Sequence, residues 1–381
     1  MKKNLSIFLA ALLAFFCVSS LPASAQSSGA AQSSGAAQSS GADMLFNGSA
    51  LNPQALIVGG EVYLPVRSLC GALGYEVNWF VSILNGDSQV TAQKERRVVT
   101  LSLSGSGTMN IDGHSFYAST NSGDAIRDLS GRAYLESNYF DAAFSTKTVY
   151  DSKSGKVSVQ SVAENPVKVG TVALKKQERY LDMNIQYPLL SGLSNSSVQS
   201  SINDFLEKAA LAAESEGEQN AKENADWISK EAPDSGIKCA TNFNFILRYN
   251  RNGLLCLTLT DYQFTGGAHG STVMSSYTFD LSTGKTLSLG DLTVSSGDSL
   301  SYLNSGIRAE IDKRVAAGAL YEFEDGKFKS LGNNPAYYLS SSGIVFYFQQ
   351  YEYFPYAAGI QEFSFAYPDV KNLLEPAYQN L

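Results

Sequence analysis

Apolar positions follow two periods that alternate along this chain. Val62, Leu64 and Val66 alternate as in a half-buried strand, and Pro65–Leu73 then places apolar residues at helical spacing until Gly74 stops the helix. Tyr75 to Trp79 opens another strand. A weaker copy lies over residues 131–160. There Tyr134-Leu135-Glu136 stands where Tyr63-Leu64-Pro65 stood, and Phe140–Phe144 matches the short helix. Further on, Val198, Ile202, Phe205, Leu206, Ala209 and Ala213 form one face of a long helix with Asn195 as its N-cap. Leu300, Leu303, Ile307, Ile311 and Val315 do the same for a second helix, which Gly318 ends. Between these helices "NRNG" reads as a hairpin turn, and strands follow the second helix. Strands and helices mix without a βαβ rhythm. The fold expected is α+β in two domains, each a mainly antiparallel sheet packed with helices.

Two segments at the N-terminus lack this patterning. Lys2 and Lys3, the apolar run Leu5–Leu21 and Ala23-Ser24-Ala25 have the order of a cleaved secretory signal over residues 1–25. Phe15-Phe16 before Cys17 argue against lipidation. Residues 26–43 repeat a hexapeptide of small polar residues and read as a tether. Pro166 and the loss of periodicity mark a linker over 163–172. The domains expected are therefore 44–162 and 172–381. No segment after the signal is long and apolar enough to span a membrane, so an extracellular, envelope-associated protein is expected.

Charge narrows the partners. Cleavage removes Lys2 and Lys3 and takes the net charge from −8 to −10. Such a chain is a poor match for nucleic acid and better suited to a basic partner. Cys70, Cys239 and Cys256 remain after cleavage. Counting back from the hairpin turn sets Cys256 opposite Tyr249, away from Cys239, so buried free thiols are expected.

Catalytic chemistry finds little support. His114 and His269 are the two histidines, in different domains with scattered thiols, so no zinc site is expected. No serine lies in a nucleophile elbow. Nothing in the spacing selects Asp261 with Glu352 or Glu362 as a carboxylate pair. Gly266, Gly267 and Gly270 around His269 read as a strand bend in which the imidazole bonds nearby backbone. Arg67 reads as a structural residue in a helix N-terminal turn. No catalytic residue, cofactor or metal is expected.

Two resemblances give this pattern a setting. "VGGEVYLPVRSLCGALGYEVNW" (residues 58–79) resembles the copper amine oxidase N-terminal-like domain of bacterial surface proteins. That resemblance implies a small sheet wrapped around a helix, a stalk-like module without copper or catalysis. "DYQFTGGAHGSTVMSSYTFDLSTGKTLSLGDL" and "YFPYAAGIQEFSFAYPDVKNLL" are similar to the extracellular region shared by the lysozyme-responsive anti-sigma-V factor and certain peptidoglycan deacetylases. This second likeness covers about residues 172–372 and implies recognition of lysozyme. The sequence carries neither the sigma-binding segment with its membrane helix nor the deacetylase catalytic domain, so a binding role without catalysis is expected.

The binding residues expected are Tyr351, Tyr353, Phe354 and Tyr356, crowded at one turn, with His269 and Tyr262 beside the glycine bend. In "FYFQQYEY" the row Phe346, Phe348, Gln350 alternates with Tyr347, Gln349, Tyr351, so one row is expected in the core and the other outside. A buried aromatic core is the competing reading. The partner expected is a lysozyme-like basic protein. The alternatives are peptidoglycan or another wall glycan, and, third, an uncharacterised hydrolase.

Overall fold

The computed structural model describes residues 39–381, except 82–85, 106, 122, 130, 232–235 and 295–296 and the side chains of 297–298. The signal segment and most of the tether lie outside the described residues. The tether ends earlier than its composition suggests. Ser40–Asp43 already belong to the first strand, β1 (Ser40–Phe46), where Ser40, Gly41 and Ala42 pair with Ile57, Leu56 and Ala55. Small side chains do not prevent a strand, because its ladder is made by backbone groups alone.

The N-terminal part continues with β2 (Ser49–Val58), β3 (Glu61–Pro65), α1 (Val66–Ala72) and β4 (Glu76–Val81). A meander follows: β5 (Ser88–Lys94), β6 (Arg97–Ser102), β7 (Thr108–Ile111) and β8 (His114–Tyr117). After the short hairpin β9 (Ser119–Thr120) and β10 (Gly123–Asp124) come β11 (Ile126–Asp128), β12 (Ala133–Glu136), α2 (Ser137–Phe144), β13 (Thr146–Asp151) and β14 (Lys156–Ser161). One seven-stranded sheet has the order β11-β12-β3-β2-β1-β14-β13, and β4 to β8 form a five-stranded antiparallel sheet.

The internal repeat has a structural meaning. Its two copies pair with each other: Tyr134, Leu135 and Glu136 lie antiparallel to Pro65, Leu64 and Tyr63. Leu64 and Leu135, both fully buried, sit on a local pseudo-twofold axis, and each copy's helix packs on the other copy's strand. The second copy lacks the proline that opens α1, and Glu136 takes over. Its carboxyl accepts from Asn138 N–H (3.0 Å) and Ser137 O–H (2.9 Å), capping α2. Burial outweighs those hydrogen bonds and pushes the Glu136 carboxyl up to about 8.

The C-terminal part has a second five-stranded sheet, β15-β16-β17-β18-β19, built from β15 (Lys168–Gln177), β16 (Leu181–Ser191), β17 (Cys239–Arg251), β18 (Leu254–Phe264) and β19 (Ser271–Asp280). All neighbours are antiparallel except β16 and β17, which the long helix α3 (Ser196–Glu231) connects. Asn195 caps α3, accepting from Ser197 and Val198 N–H. Val198, Ile202, Leu206 and Ala213 are buried against Phe243, Phe245, Leu255 and Leu257. Phe205 instead lies at the edge of this face, 38% exposed, against Tyr277 and Phe279. The opposite face carries α4 (Leu289–Leu292), α5 (Gly297–Ala316) and a three-stranded sheet of β20 (Tyr337–Leu339), β21 (Gly343–Phe348) and β22 (Gln361–Ala366), before α6 (Tyr367–Val370). Leu303, Ile307 and Ile311 of α5 join that core, while Val315 is exposed. Both rows of β21 are buried, Tyr347 as fully as Phe346, because β21 is the central strand and both its faces are covered. The expected exposed row therefore exists only past the strand's end.

Three sequence expectations hold in detail. The chain is α+β with mainly antiparallel sheets. The turn at Asn252-Gly253 closes a hairpin in which Cys256 faces Tyr249. Cys70, Cys239 and Cys256 are free and buried.

The connector is less loose than its proline suggests. Lys168–Val172 already belong to β15, and Asn165 clamps the remainder onto the hairpin turn. Asn165 donates to Leu254 O (2.8 Å) and accepts from Gly253 N–H (2.9 Å). The described residues accordingly form one compact unit.

Arg248 sits where the parts meet. The register of β17 slips between Leu247 and Tyr249, so Arg248 is the extra residue of a β-bulge. Before the bulge Phe243, Phe245 and Leu247 face α3; after it Tyr249 joins the opposite core with Cys256. The buried guanidinium lies over the rings of Tyr139 from α2 (5.4 Å) and Tyr338 from β20 (4.6 Å). It donates to Thr258 Oγ1 (3.0 Å) and faces Glu362 of β22 at 3.9 Å. Beside it, the buried Asp141 carboxylate accepts from Thr146, Thr148 and Ser341 hydroxyls, joining α2 to the loop between β20 and β21.

Replacing Arg248 by Met should cost about 3 kcal/mol in urea unfolding, since it leaves Glu362 without its cation; a loss under ~1 kcal/mol would refute this role. Glu136 gives a pH signature. The folded state holds this proton to about pH 8, whereas the unfolded state releases it near 4.5. Between those values the folded state binds more protons, so stability falls as pH rises, by at most about 1.4 kcal/mol per pH unit. Thermal melts at pH 5, 6.5 and 8 should show a smaller fall for Glu136→Gln than for the natural chain. Parallel curves would contradict the assignment.

Candidate functional site: an aromatic cluster on the glycine bend

The edge of β19 sets the position of this site. Its outward backbone groups are met by side chains from the end of β21: Gln349 Oε1 accepts from Met274 N–H, Gln349 Nε2 donates to Met274 O, and Gln350 Oε1 accepts from Thr272 N–H. Two glutamines thus stand in for a neighbouring strand. They bring the turn after β21 against the bend between β18 and β19.

On the bend His269 stacks on Tyr356, with ring centroids 3.8 Å apart and planes within 21°. Its Nδ1–H donates to Gly270 O (2.9 Å), the local bonding expected of a strand bend. The Tyr351 hydroxyl lies 3.4 Å from His269 Nε2. Tyr351 and Tyr356 are themselves 5.7 Å apart. Tyr262 closes the other side, its ring lying so near Gly270 that a Cβ there would meet it at 2.3 Å. A Cβ at Gly266, where φ is +96°, would meet Trp227 of α3 at 2.9 Å.

The predicted residues therefore divide. His269, Tyr351, Tyr356 and Tyr262 are brought together at the surface. Tyr353 is half-buried against Phe328 and Phe348, and Phe354 is fully buried against Phe348 and Phe363. Phe354 belongs to the core and cannot meet a partner, because the middle two of the four rings, Tyr353 and Phe354, anchor the turn. Sequence reasoning missed Trp227. Its isolated position near the end of a polar helix gave no period that links it to residues 266–270.

Tyr351 is the unusual member. It is 56% exposed, and its φ is +66°. A bulky residue in the left-handed region is a backbone outlier that costs of order 1 kcal/mol or more. Tyr351 is thus an exposed ring held on a left-handed backbone, in contact with His269 and Tyr356. α3, which carries Trp227, is net acidic along its length, with eight carboxylates against three lysines.

The residues weighed for catalysis do not converge. Asp261 accepts from Gln263, and burial pushes its carboxyl up to about 6; Glu352 accepts from Gln349 N–H, and Glu362 lies with Arg248. Among the described residues no three His, Cys, Asp or Glu side chains gather as a metal site.

The glycine contacts give a paired test. Gly270→Ala must displace the Tyr262 ring and should lower stability by about 1–2 kcal/mol, whereas Gly267→Ala, with open space around its Cβ, should change it by under ~0.5 kcal/mol. Equal melting temperatures for the two variants would mean that Tyr262 does not pack there.

Three segments match family models. Residues 45–159 match the copper amine oxidase N-terminal domain, residues 174–272 match the family described as deacetylase PdaC, and residues 290–367 match a family described as a protein of unknown function (DUF3298). No curated protein matches this sequence. Two solved DUF3298-family proteins are similar, one from Bacteroides fragilis and one from Pseudomonas aeruginosa. They are 18% and 19% identical, cover 55% and 56% of this chain and 94% and 97% of their own, and have TM-scores of 0.44 and 0.41. The order of matches is that of the sequence resemblance: a copper amine oxidase N-terminal-like segment followed by a deacetylase-type region that runs into a DUF3298 region.

Proposed function

We propose that this chain is a non-catalytic binding protein of the cell envelope, and that the His269–Tyr351–Tyr356 cluster captures a basic protein of the lysozyme class. The observation that carries this reading is Tyr351, an exposed aromatic ring held on a left-handed backbone. Rigid amphipathic rings are favoured anchors of protein interfaces. The net acidic charge of α3 would draw a basic partner at long range, and the rings would supply the short-range contact. A signal-like N-terminus and the PdaC-type match support an extracellular setting.

Calorimetry of the full chain with a basic lysozyme at low and high salt tests this. Binding should weaken with salt. Tyr351→Gly with Tyr356→Ala should weaken it further by at least ~2 kcal/mol. Tyr351→Gly alone relieves the left-handed strain and should leave the fold at least as stable in thermal melts. Undiminished affinity in the folded double variant would sink the assignment. Salt-independent binding to isolated wall glycan in place of lysozyme would replace it with sugar stacking.

A further inference from the structure

We propose that the N-terminal part holds a second binding site, for a carboxylate-bearing sugar. A groove of about 400 Å3 opens where β2 and β3 meet β4. Its apolar surface is formed by the half-exposed indole of Trp79 and the rings of Pro53 and Pro65. Its polar groups are the Ser68 hydroxyl and the guanidinium groups of Arg67 and Arg132.

Charge defines the occupant. No acidic residue lines this groove, although the chain carries 36 Asp and Glu against 28 Lys and Arg. Both arginines are exposed, and neither has a carboxylate partner among the described residues. Arg67 donates from Nη1 to Val77 O (3.2 Å), which braces α1 on β4 and holds the guanidinium at the groove with its other N–H groups free for a ligand. Arg67, held by that bond, and the exposed Arg132 beside the groove form a locally uncompensated pair of guanidinium groups that suits a carboxylate, which accepts two parallel N–H bonds from one arginine.

Size and shape define it further. The volume lies in the range of small-ligand sites, about 300–1,000 Å3, and is far smaller than a protein interface requires. The indole and the half-buried ring of Pro53, above the buried Pro65, offer an apolar platform for the C–H face of a saturated ring, while hydroxyls on that ring's edge can donate to Ser68 Oγ, whose own hydrogen goes to Pro65 O (3.4 Å), and accept from arginine. A pyranose with a carboxylate uses the platform, the hydroxyl and the guanidinium groups together. This site lies in the copper amine oxidase N-terminal-like segment and is independent of the aromatic cluster on the glycine bend.

The test uses the full chain carrying Trp227→Phe, so that Trp79 is its one indole, and follows emission on titration with trigalacturonate, its methyl ester and triglutamate. Trigalacturonate should bind at least tenfold more tightly than the ester. Arg132→Gln, at an exposed position, should erase at least fivefold of that preference without changing the melting temperature. Calorimetry of Trp79→Ala should show both sugars weakened together. Equal binding of acid and ester, failure of trigalacturonate to bind, or triglutamate binding as tightly as trigalacturonate would each overturn the proposal.

Discussion

The bulge at Arg248 is the constraint on which the rest of the molecule depends. A regular β17 would keep odd-numbered side chains on the α3 face throughout. One extra residue turns Tyr249 to the other face and aims a guanidinium between Tyr139 and Tyr338. Burial works against that charge, but Tyr338, Tyr139 and Glu362 outweigh it and keep it protonated. Segments more than a hundred residues apart converge on one cation. Satisfied buried polar groups of this kind specify an arrangement more narrowly than apolar contact does, since any shift leaves a charge unpaired.

Around this point the chain is tied by further polar links. His114 of β8 donates to Phe245 O (2.8 Å) and stacks on its ring, Asn121 exchanges hydrogen bonds with the backbone of Glu362, and Lys147 reaches Leu381 O. The N-terminal part is thus built into the C-terminal sheet. The support behind the aromatic cluster is continuous with it, through β17, β18 and β19 to the glutamines that hold the turn.

Local chemistry was legible in the sequence and long-range chemistry was not. Asn195, the Asn252-Gly253 turn and the pairing of Cys256 with Tyr249 depend on neighbours a few residues away, and the sequence states them directly. The repeat was visible as two similar stretches, though not that they would lie side by side about Leu64 and Leu135. Of the candidate site, the glycine bend and its histidine were readable, because glycines mark where a backbone must turn. The split between Tyr351 and Tyr356 outside and Phe354 inside was not, since four aromatic residues in six carry no period. Nor was the bulge at Arg248, because an arginine in a strand ordinarily means an exposed edge. Asn165 and Trp227 were missed for the same reason: each acts on residues about 40 to 90 positions away.

The position of Arg248 also bears on how the protein is made. The ribosome delivers the chain from its N-terminus, so Phe116, Tyr139 and the capping carboxyl of Glu136 are synthesised long before β17 emerges. During that interval the nascent N-terminal half presents a wet aromatic face whose cover is still untranslated. Asp141 waits for Ser341, and Tyr139 waits for Arg248. The burial of the N-terminal half is therefore finished only when both β17 and the loop before β21 have joined it.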